Sequence, residues 1–293
     1  MRLADGDEVI PDYHIHTGFC GHAEGDPREV VERAIALGMP EVGFSEHLPL
    51  PPGFPPAQRY ADLAMARDDL DRYVSLVHDL AREYRGDIRV LCGAEADYIE
   101  AALDHTAGLL AQYPFDYVIG SVHFLGDGLA YDHGDERQRL VAYGVDRVYL
   151  ESLGLAARAA ASGLFQVIGH LDLAKKFGHR PTDAEAVAAA AAAALRAAAA
   201  AGVAIELNTA GWRKPVGEAY PAPDLLAAAA ALGVRLTFGS DAHRPDEVGA
   251  GFDRAARLAR ECGYERAASP LGGEWPLPAP AGAAGAADPG EDA

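Results

Sequence analysis

His14 and His16 stand two residues apart, and so do Asp241 and His243. In an extended chain that spacing puts both side chains of a pair on one side, where they can grip one cation. His22, Glu46-His47, Glu95, His123 and His170 recur along the chain, most of them at or just past the end of a short apolar run. Seven of the eleven histidines, with the carboxylates Glu95 and Asp241, thus fall where strands of a parallel α/β fold would end, the place where parallel barrels assemble active sites. So many imidazoles and carboxylates in one mouth are costly to bury unless cations compensate them. Imidazole plus carboxylate without thiolate suits zinc, iron or manganese. Divalent-metal chemistry is therefore the expectation. Single histidines carry less weight: His78 and His105 fall in helical stretches, and His133 and His179 lie in loops without a motif, so all four read as packing or surface residues.

The elements that must position these groups alternate between short apolar runs and longer helical patterns, the mark of βα units and a parallel sheet. Strands are expected near Asp12–His16, Glu41–Ser45, Arg89–Glu95, Tyr117–His123, Gln166–His170, Ala204–Asn208 and Arg235–Ser240. Asp26-Pro27 with Glu29 opens the first helix and Gly38 ends it; Thr182 with Glu185 repeats the device before an alanine-rich helix that stops at Gly202. Pro49 to Pro56 and Thr209 to Pro223 read as long loops, the kind that often form lids or binding loops. The organisation expected is one domain over residues 1–275, followed by a disordered Pro/Gly/Ala-rich tail over 276–293.

Composition narrows the function classes. A chain of 293 residues with 49% hydrophobic and 24% charged residues is that of an ordinary globular protein, and outside its alanine-rich stretches no window has the apolar length of a membrane span. With 25 basic and 44 acidic residues, the net charge of −19 repels long nucleic acids yet leaves room for a small phosphorylated substrate. Cys20, Cys92 and Cys262 are too few for a disulfide framework, and the opening MRLADGDEV has no leader-like apolar run, so a cytoplasmic location is expected.

The run His14-Ile-His-Thr-Gly-Phe-Cys-Gly-His22 resembles the polymerase and histidinol phosphatase (PHP) superfamily, together with Ser45-Glu-His47, Gly93-Ala-Glu95, Gly120-Ser-Val-His123, Gly169-His170, Glu206-Leu-Asn-Thr and Gly239-Ser-Asp241-Ala-His243. Asn208-Thr-Ala-Gly-Trp-Arg-Lys-Pro215, His170 to Gly178 and Tyr220-Pro-Ala-Pro are similar to its histidinol-phosphatases in particular. The resemblance implies a distorted (β/α)7 TIM-like barrel and a centre of three divalent cations. It assigns one cation to His14, His16, Glu95 and Asp241, makes Glu95 the bridge to a second on His123 and His170, and gives the third to His22, His47 and His243. Glu95, Asp241 and His243 would then serve catalysis.

Cations clustered in this way lower the pKa of a shared water and neutralise phosphoryl charge. The activity implied is hydrolysis of L-histidinol phosphate to L-histidinol and phosphate; another small phosphomonoester or nucleotide, and a metal-binding module without turnover, are the alternatives. Arg213, with Lys175 and Lys176 behind it, is the expected phosphate contact, since all three follow strands at the mouth. Lys175 stands where relatives are expected to carry Arg, so the charge is kept without the two-pronged grip. Glu46, Asp97, Asp172, Glu206 and Asn208 are candidates to orient the imidazoles or meet the substrate amine, and Tyr98 and Trp212 to wall an imidazole pocket.

Overall fold

In the computed structural model, which describes residues 9–126 and 128–278, most of the expected apolar runs become strands of one parallel sheet. Along the chain come α1 (Pro27–Ala36), β1 (Glu41–His47), α2 (Pro55–Arg59), α3 (Leu70–Glu83), β2 (Arg89–Asp97), α4 (Leu103–Gln112) and β3 (Tyr117–Ser121). A small antiparallel hairpin of β4 (Phe124–Leu125) and β5 (Leu129–Ala130) follows, then α5 (Arg137–Tyr143) and α6 (Val145–Ala161). The sheet resumes with β6 (Val167–Ile168), α7 (Ala184–Ala201), β7 (Ala204–Asn208), α8 (Pro223–Ala231) and β8 (Leu236–Gly239). After α9 (Phe252–Glu261), the strands β9 (Arg266–Ala268) and β10 (Glu274–Pro276) pair antiparallel. The sheet order is β1-β2-β3-β6-β7-β8 with every neighbour parallel. Parallel neighbours need a crossover, and helices supply it at each step.

The strand expected at Asp12–His16 is not regular. It forms isolated bridges, Asp12 to Val42 and Ile15 to Ala242. Its backbone nevertheless bonds both sheet edges: Gly43 N–H donates to Asp12 O at 2.9 Å, and Tyr13 N–H to Phe238 O at 3.1 Å. Side chains have taken part of the ladder, because His14 N–H turns to Asp12 Oδ1 at 3.3 Å and Ile15 N–H to Ser45 Oγ at 3.2 Å. The same competition shortens two other strands. His123 N–H goes to Asp97 Oδ1 at 3.2 Å and His170 N–H to Glu206 Oε2 at 2.9 Å, so β3 and β6 stop before their histidines instead of including them as expected.

Tyr13, Leu91, Tyr117, Ile119, Val167 and Ala204 form one buried cluster, while the larger core packs the helices against the sheet. Period-two alternation links this cluster to the chemistry. Leu91 leads to Glu95, Tyr117 and Ile119 to Ser121, and Ala204 to Glu206 and Asn208, each along one face of its strand, with His123 just past the end of β3. Apolar residues at the strand starts therefore hold polar ones at the ends.

The capping box of Asp26 and Glu29 forms with Pro27 in the first turn of α1. The second expected box does not. Asp183, not Thr182, caps α7 by accepting from Ala186 N–H at 3.0 Å, because Asp146 captures Thr182 through both its N–H and hydroxyl. By length and composition α7 could cross a membrane; here it packs on α6 and buries Ala191, Ala194, Leu195 and Ala198. The first long excursion is partly helical as α2, and the second carries a 3-10 turn at Ala210–Arg213. Nor does the packed chain end at 275: Pro276 lies in β10, and Leu277 is buried with its N–H on Glu265 O at 2.9 Å. The rest of the expected tail, 279–293, lies outside the described residues.

Candidate metal centre

The expected ligands converge. Glu95, at the end of β2, stands at the middle with its two oxygens facing different groups. Oε2 lies 3.3 Å from His14 Nε2, 3.5 Å from His16 Nε2 and 3.0 Å from His47 Nδ1. Oε1 lies 3.0 Å from His170 Nε2 and 3.6 Å from His123 Nε2. Asp241 Oδ1 approaches His16 Nε2 at 3.3 Å and His14 Nε2 at 3.9 Å. At the outer end His243 Nε2 meets His22 Nε2 at 2.8 Å, and the rings of His16 and His243 stack at 4.4 Å.

Ligand chemistry fits this arrangement to metal ions. His14 Nε2, His16 Nε2, His47 Nδ1 and Glu95 Oε2 are buried without a hydrogen-bond partner, an orphaning that a protein tolerates when a cation takes the lone pairs. Nitrogen pairs such as His123 Nε2 and His170 Nε2 at 3.3 Å match the edge of a tetrahedron whose metal–nitrogen bonds are about 2.0–2.1 Å. His14 with His16 and Glu95, His14 with His170 and Asp241, and His16 with His47 and His243 each bring their ligand atoms within 4.8 Å of one another.

What holds the rings is equally specific. His14 Nδ1 meets Glu206 Oε1 at 2.6 Å, His16 Nδ1 meets Glu46 Oε1 at 3.2 Å and His123 Nδ1 meets Asp97 Oδ1 at 2.9 Å. These carboxylates turn the other nitrogen of each ring to the cluster. Three of the polar residues left open by the sequence, Glu46, Asp97 and Glu206, thus orient imidazoles. Asn208 Nδ2 donates to Glu206 Oε2 at 3.1 Å and to Asp241 Oδ2 at 3.3 Å. Gly239 is required beside them, since a Cβ there would sit 1.9 Å from Glu206 Oε1 and 2.6 Å from His14 Cβ. Asp241 itself has φ 53°, a left-handed turn that points its carboxylate back at His16.

Burial disfavours charged imidazoles, yet at three rings the surrounding carboxylates outweigh it. Glu206, Glu95 and Asp241 hold His14 well above the ordinary value; Asp241 and Glu46 raise His16 to about 9, and Asp97 and Glu95 raise His123 to about 10. At the outer end burial and neighbouring imidazoles act together, lowering His22 to about 4 and His243 to about 2. Against their own burial, Glu95 and Asp241 are kept well below the carboxylate range by the histidines.

The cavity over the cluster, about 250 Å³, is lined by ligands together with Asp132, Lys176, Lys214, Tyr220 and Glu247. Of the three expected phosphate contacts, only Lys176 lines it, with Nζ 3.0 Å from Asp132 Oδ2. Lys175 is buried, 2.7 Å from Asp172 Oδ2 and 3.5 Å from Glu218, because the 3-10 turn Leu173–Lys175 brings i and i+3 to the same side. Asp172 is thereby committed to that pair and not to an imidazole. Arg213 lies behind Asp241, donating to Ser240 O at 2.8 Å and Asp241 O at 3.4 Å, with Glu247 at 3.4 Å.

Lys214, next to Arg213 in sequence, reaches the cavity instead. Neither proposed wall lines it: Tyr98 is buried in the core and borders a separate groove, and Trp212 packs under Arg254. His133, read as packing, stacks on Tyr60 at 4.0 Å and borders an adjoining cavity. Asp132, just after the β4–β5 hairpin, has no signal in the sequence, whereas Tyr220 opens the Tyr220-Pro-Ala-Pro motif without a site role being assigned to it. Cys20 Sγ lies within 4.8 Å of His22 and His243 ligand atoms and donates to Thr17 O at 3.1 Å.

The PHP domain family matches residues 12–210. A protein of Deinococcus radiodurans named "Probable histidinol-phosphatase" is 40% identical over 252 residues, covering 86% of this chain and 93% of that protein. The histidinol-phosphatase of Bacillus subtilis is 33% identical over 259 residues, covering 83% and 96%. Among solved structures, the histidinol phosphate phosphatase of Lactococcus lactis complexed with zinc, L-histidinol and phosphate is 25% identical, with a TM-score of 0.69 and coverage of 90% of this chain and 98% of that one.

Proposed function

This chain belongs to the PHP domain family, and we propose that it is a metal-dependent phosphoric monoester hydrolase that converts L-histidinol phosphate to L-histidinol and phosphate. The observation that carries this reading is the convergence on Glu95 of imidazole nitrogens that are buried and lack hydrogen-bond partners. Similarity to histidinol-phosphatases over most of the chain supplies the substrate.

Three divalent cations fit the division of ligands, with His14, His16, Glu95 and Asp241 around one, Glu95, His123 and His170 around a second, and His22, His47 and His243 around a third. Zinc is the metal supported by the Lactococcus lactis relative, and iron or manganese would suit the same donors. Bound cations supply Lewis acidity and a water acidified towards neutrality. The chain's own residues do the rest. Asp97, Glu46 and Glu206 keep the imidazoles aimed, Glu95 and Asp241 remain ionised, and Lys176 and Lys214 present ammonium groups to phosphoryl oxygens in the cavity.

The finer architecture we infer is a distorted (β/α)7 barrel in which Asp12–His16 serves as the irregular seventh strand, a reading supported by its bonds to both β1 and β8. One domain over the described residues is supported by a core cluster running from Ile10 to Leu277. A cytoplasmic setting is supported by three unpaired cysteines, and the net charge of −19 favours small substrates over long nucleic acids. Phosphate release from L-histidinol phosphate, beside sugar phosphates and nucleotides, on protein of measured metal content is the test. A clear preference for histidinol phosphate is expected; equal or better turnover of the others would overturn the assignment.

A further inference from the structure

A second cavity of about 210 Å³ opens beside the metal cavity and shares His22, His47, His123, Asp132 and Lys176 with it. Its own walls include Asp62, Phe124 and His133. With the phosphoryl group on the metals and lysines, this chamber offers space for the organic part of the substrate, since it adjoins the metal ligands directly. Its two carboxylates differ. Asp132 is committed to Lys176 at 3.0 Å, whereas Asp62 has no hydrogen bond or ion pair among the described residues.

Asp62 is exposed, and its neighbours fix the backbone that carries it. It sits on the strap that follows α2, packed against Gly21 of the His16–His22 loop, where an added Cβ would be 3.6 Å from Asp62 Cα and Cβ. The strap is pinned two residues earlier: Tyr60 donates to Glu136 Oε1 at 2.9 Å, Arg59 lies 3.5 Å from the same carboxylate, and Glu136 is 1% exposed. Tyr60 stacks on His133 at 4.0 Å, so the strap and the loop that follows the β4–β5 hairpin close on the chamber together.

We propose that Asp62 is a specificity-determining residue that accepts hydrogen bonds from the ammonium group of a cationic amino-alcohol phosphate, with the chamber beside it receiving the rest of the organic group. The inference rests on the histidinol phosphate reading and adds to it the group that recognises the amine. In such a substrate the ammonium stands two carbons from the ester oxygen, so its partner must stand close to the metal ligands, as do the walls of a chamber that shares His22, His47 and His123 with the metal cavity. A carboxylate with no protein cation of its own meets that requirement, and a charge-assisted hydrogen bond lost there costs about 10- to 100-fold.

Two measurements test it on the metal-loaded enzyme. First, the ratio of kcat/KM for L-histidinol phosphate to that for p-nitrophenyl phosphate, which has no amine, should fall about 10- to 100-fold in Asp62→Asn. Glu136→Gln, which loosens the strap, should lower the same ratio by less. Second, L-histidinol should inhibit the wild type more strongly than its des-amino analogue 3-(imidazol-4-yl)propanol, and Asp62→Asn should close that gap. An unchanged ratio with an unchanged inhibition gap overturns the proposal while the substrate reading stands. A wild type that does not favour histidinol phosphate overturns both.

Discussion

His14, on the irregular Asp12–His16 segment, and Glu206, on β7, face each other across β8 with Nδ1 and Oε1 2.6 Å apart, and the opposite nitrogen of the same ring lies 3.3 Å from Glu95. The glutamate thus fixes which nitrogen of His14 is offered to a cation. It also accepts His170 N–H at 2.9 Å and Asn208 Nδ2 at 3.1 Å, tying two ligand-bearing strand ends together. Glu206→Gln is expected to weaken metal affinity about 10- to 100-fold, as loss of an orienting carboxylate does elsewhere. Competition with a chelator of known affinity measures this, with circular dichroism to verify folding. Unaltered affinity in a folded variant would remove Glu206 from the centre.

Glu95 spans two groups of imidazoles, with Oε2 towards His14, His16 and His47 and Oε1 towards His123 and His170. An amide at this position replaces one accepting oxygen by a donor that faces nitrogens needed as acceptors. Glu95→Gln should therefore bind fewer cations per chain and lose on the order of 100-fold or more in kcat. Metal analysis of the purified variant beside its turnover checks both. Full metal content with wild-type turnover would show that Glu95 does not bridge.

Much of the centre was legible because ligand types at strand ends are rare and recur at readable spacing. All nine expected metal ligands are brought together. What escaped depends on contacts rather than spacing. Lys175 and Lys176 are adjacent in sequence, but a 3-10 turn buries one against Asp172 and opens the other to the cavity. Arg213 and Lys214 divide in the same manner. The irregular Asp12–His16 segment could not be told from a strand either, since its apolar alternation is ordinary and only Asp12 and Ser45 side chains break the ladder. Asp62 carried no signal at all, being one more acid on a loop.

Arg213 and Lys176 should fail in different ways. Arg213 bonds the carbonyls of Ser240 and Asp241, and Glu247 beside it accepts His243 N–H at 2.9 Å, so it braces the turn that carries two ligands. Arg213→Ala is expected to lower metal affinity as well as kcat. Lys176→Ala removes an ammonium that lines the cavity and should raise KM about tenfold with the metal content kept. Michaelis parameters beside metal stoichiometry separate the two. An Arg213 variant with full metal and only a raised KM would make Arg213 a phosphate contact after all.

Metal uptake should be coupled to protons, and unequally across the centre. His14, His16 and His123 are raised above their ordinary value, His16 to about 9 and His123 to about 10, so near pH 7 these rings hold protons that a cation must displace. His22, lowered to about 4, and His243, lowered to about 2, are already neutral there and release none. Affinity at the Glu95 end should accordingly rise with pH between 6 and 8, by about tenfold per unit for each proton displaced, and weaken as pH falls. The His22–His243 end should change far less over that range. Titrating chelator-stripped protein with zinc while a pH indicator counts released protons measures the coupling. Affinity independent of pH, or no protons released, would mean that the imidazoles around Glu95 do not bind the cations.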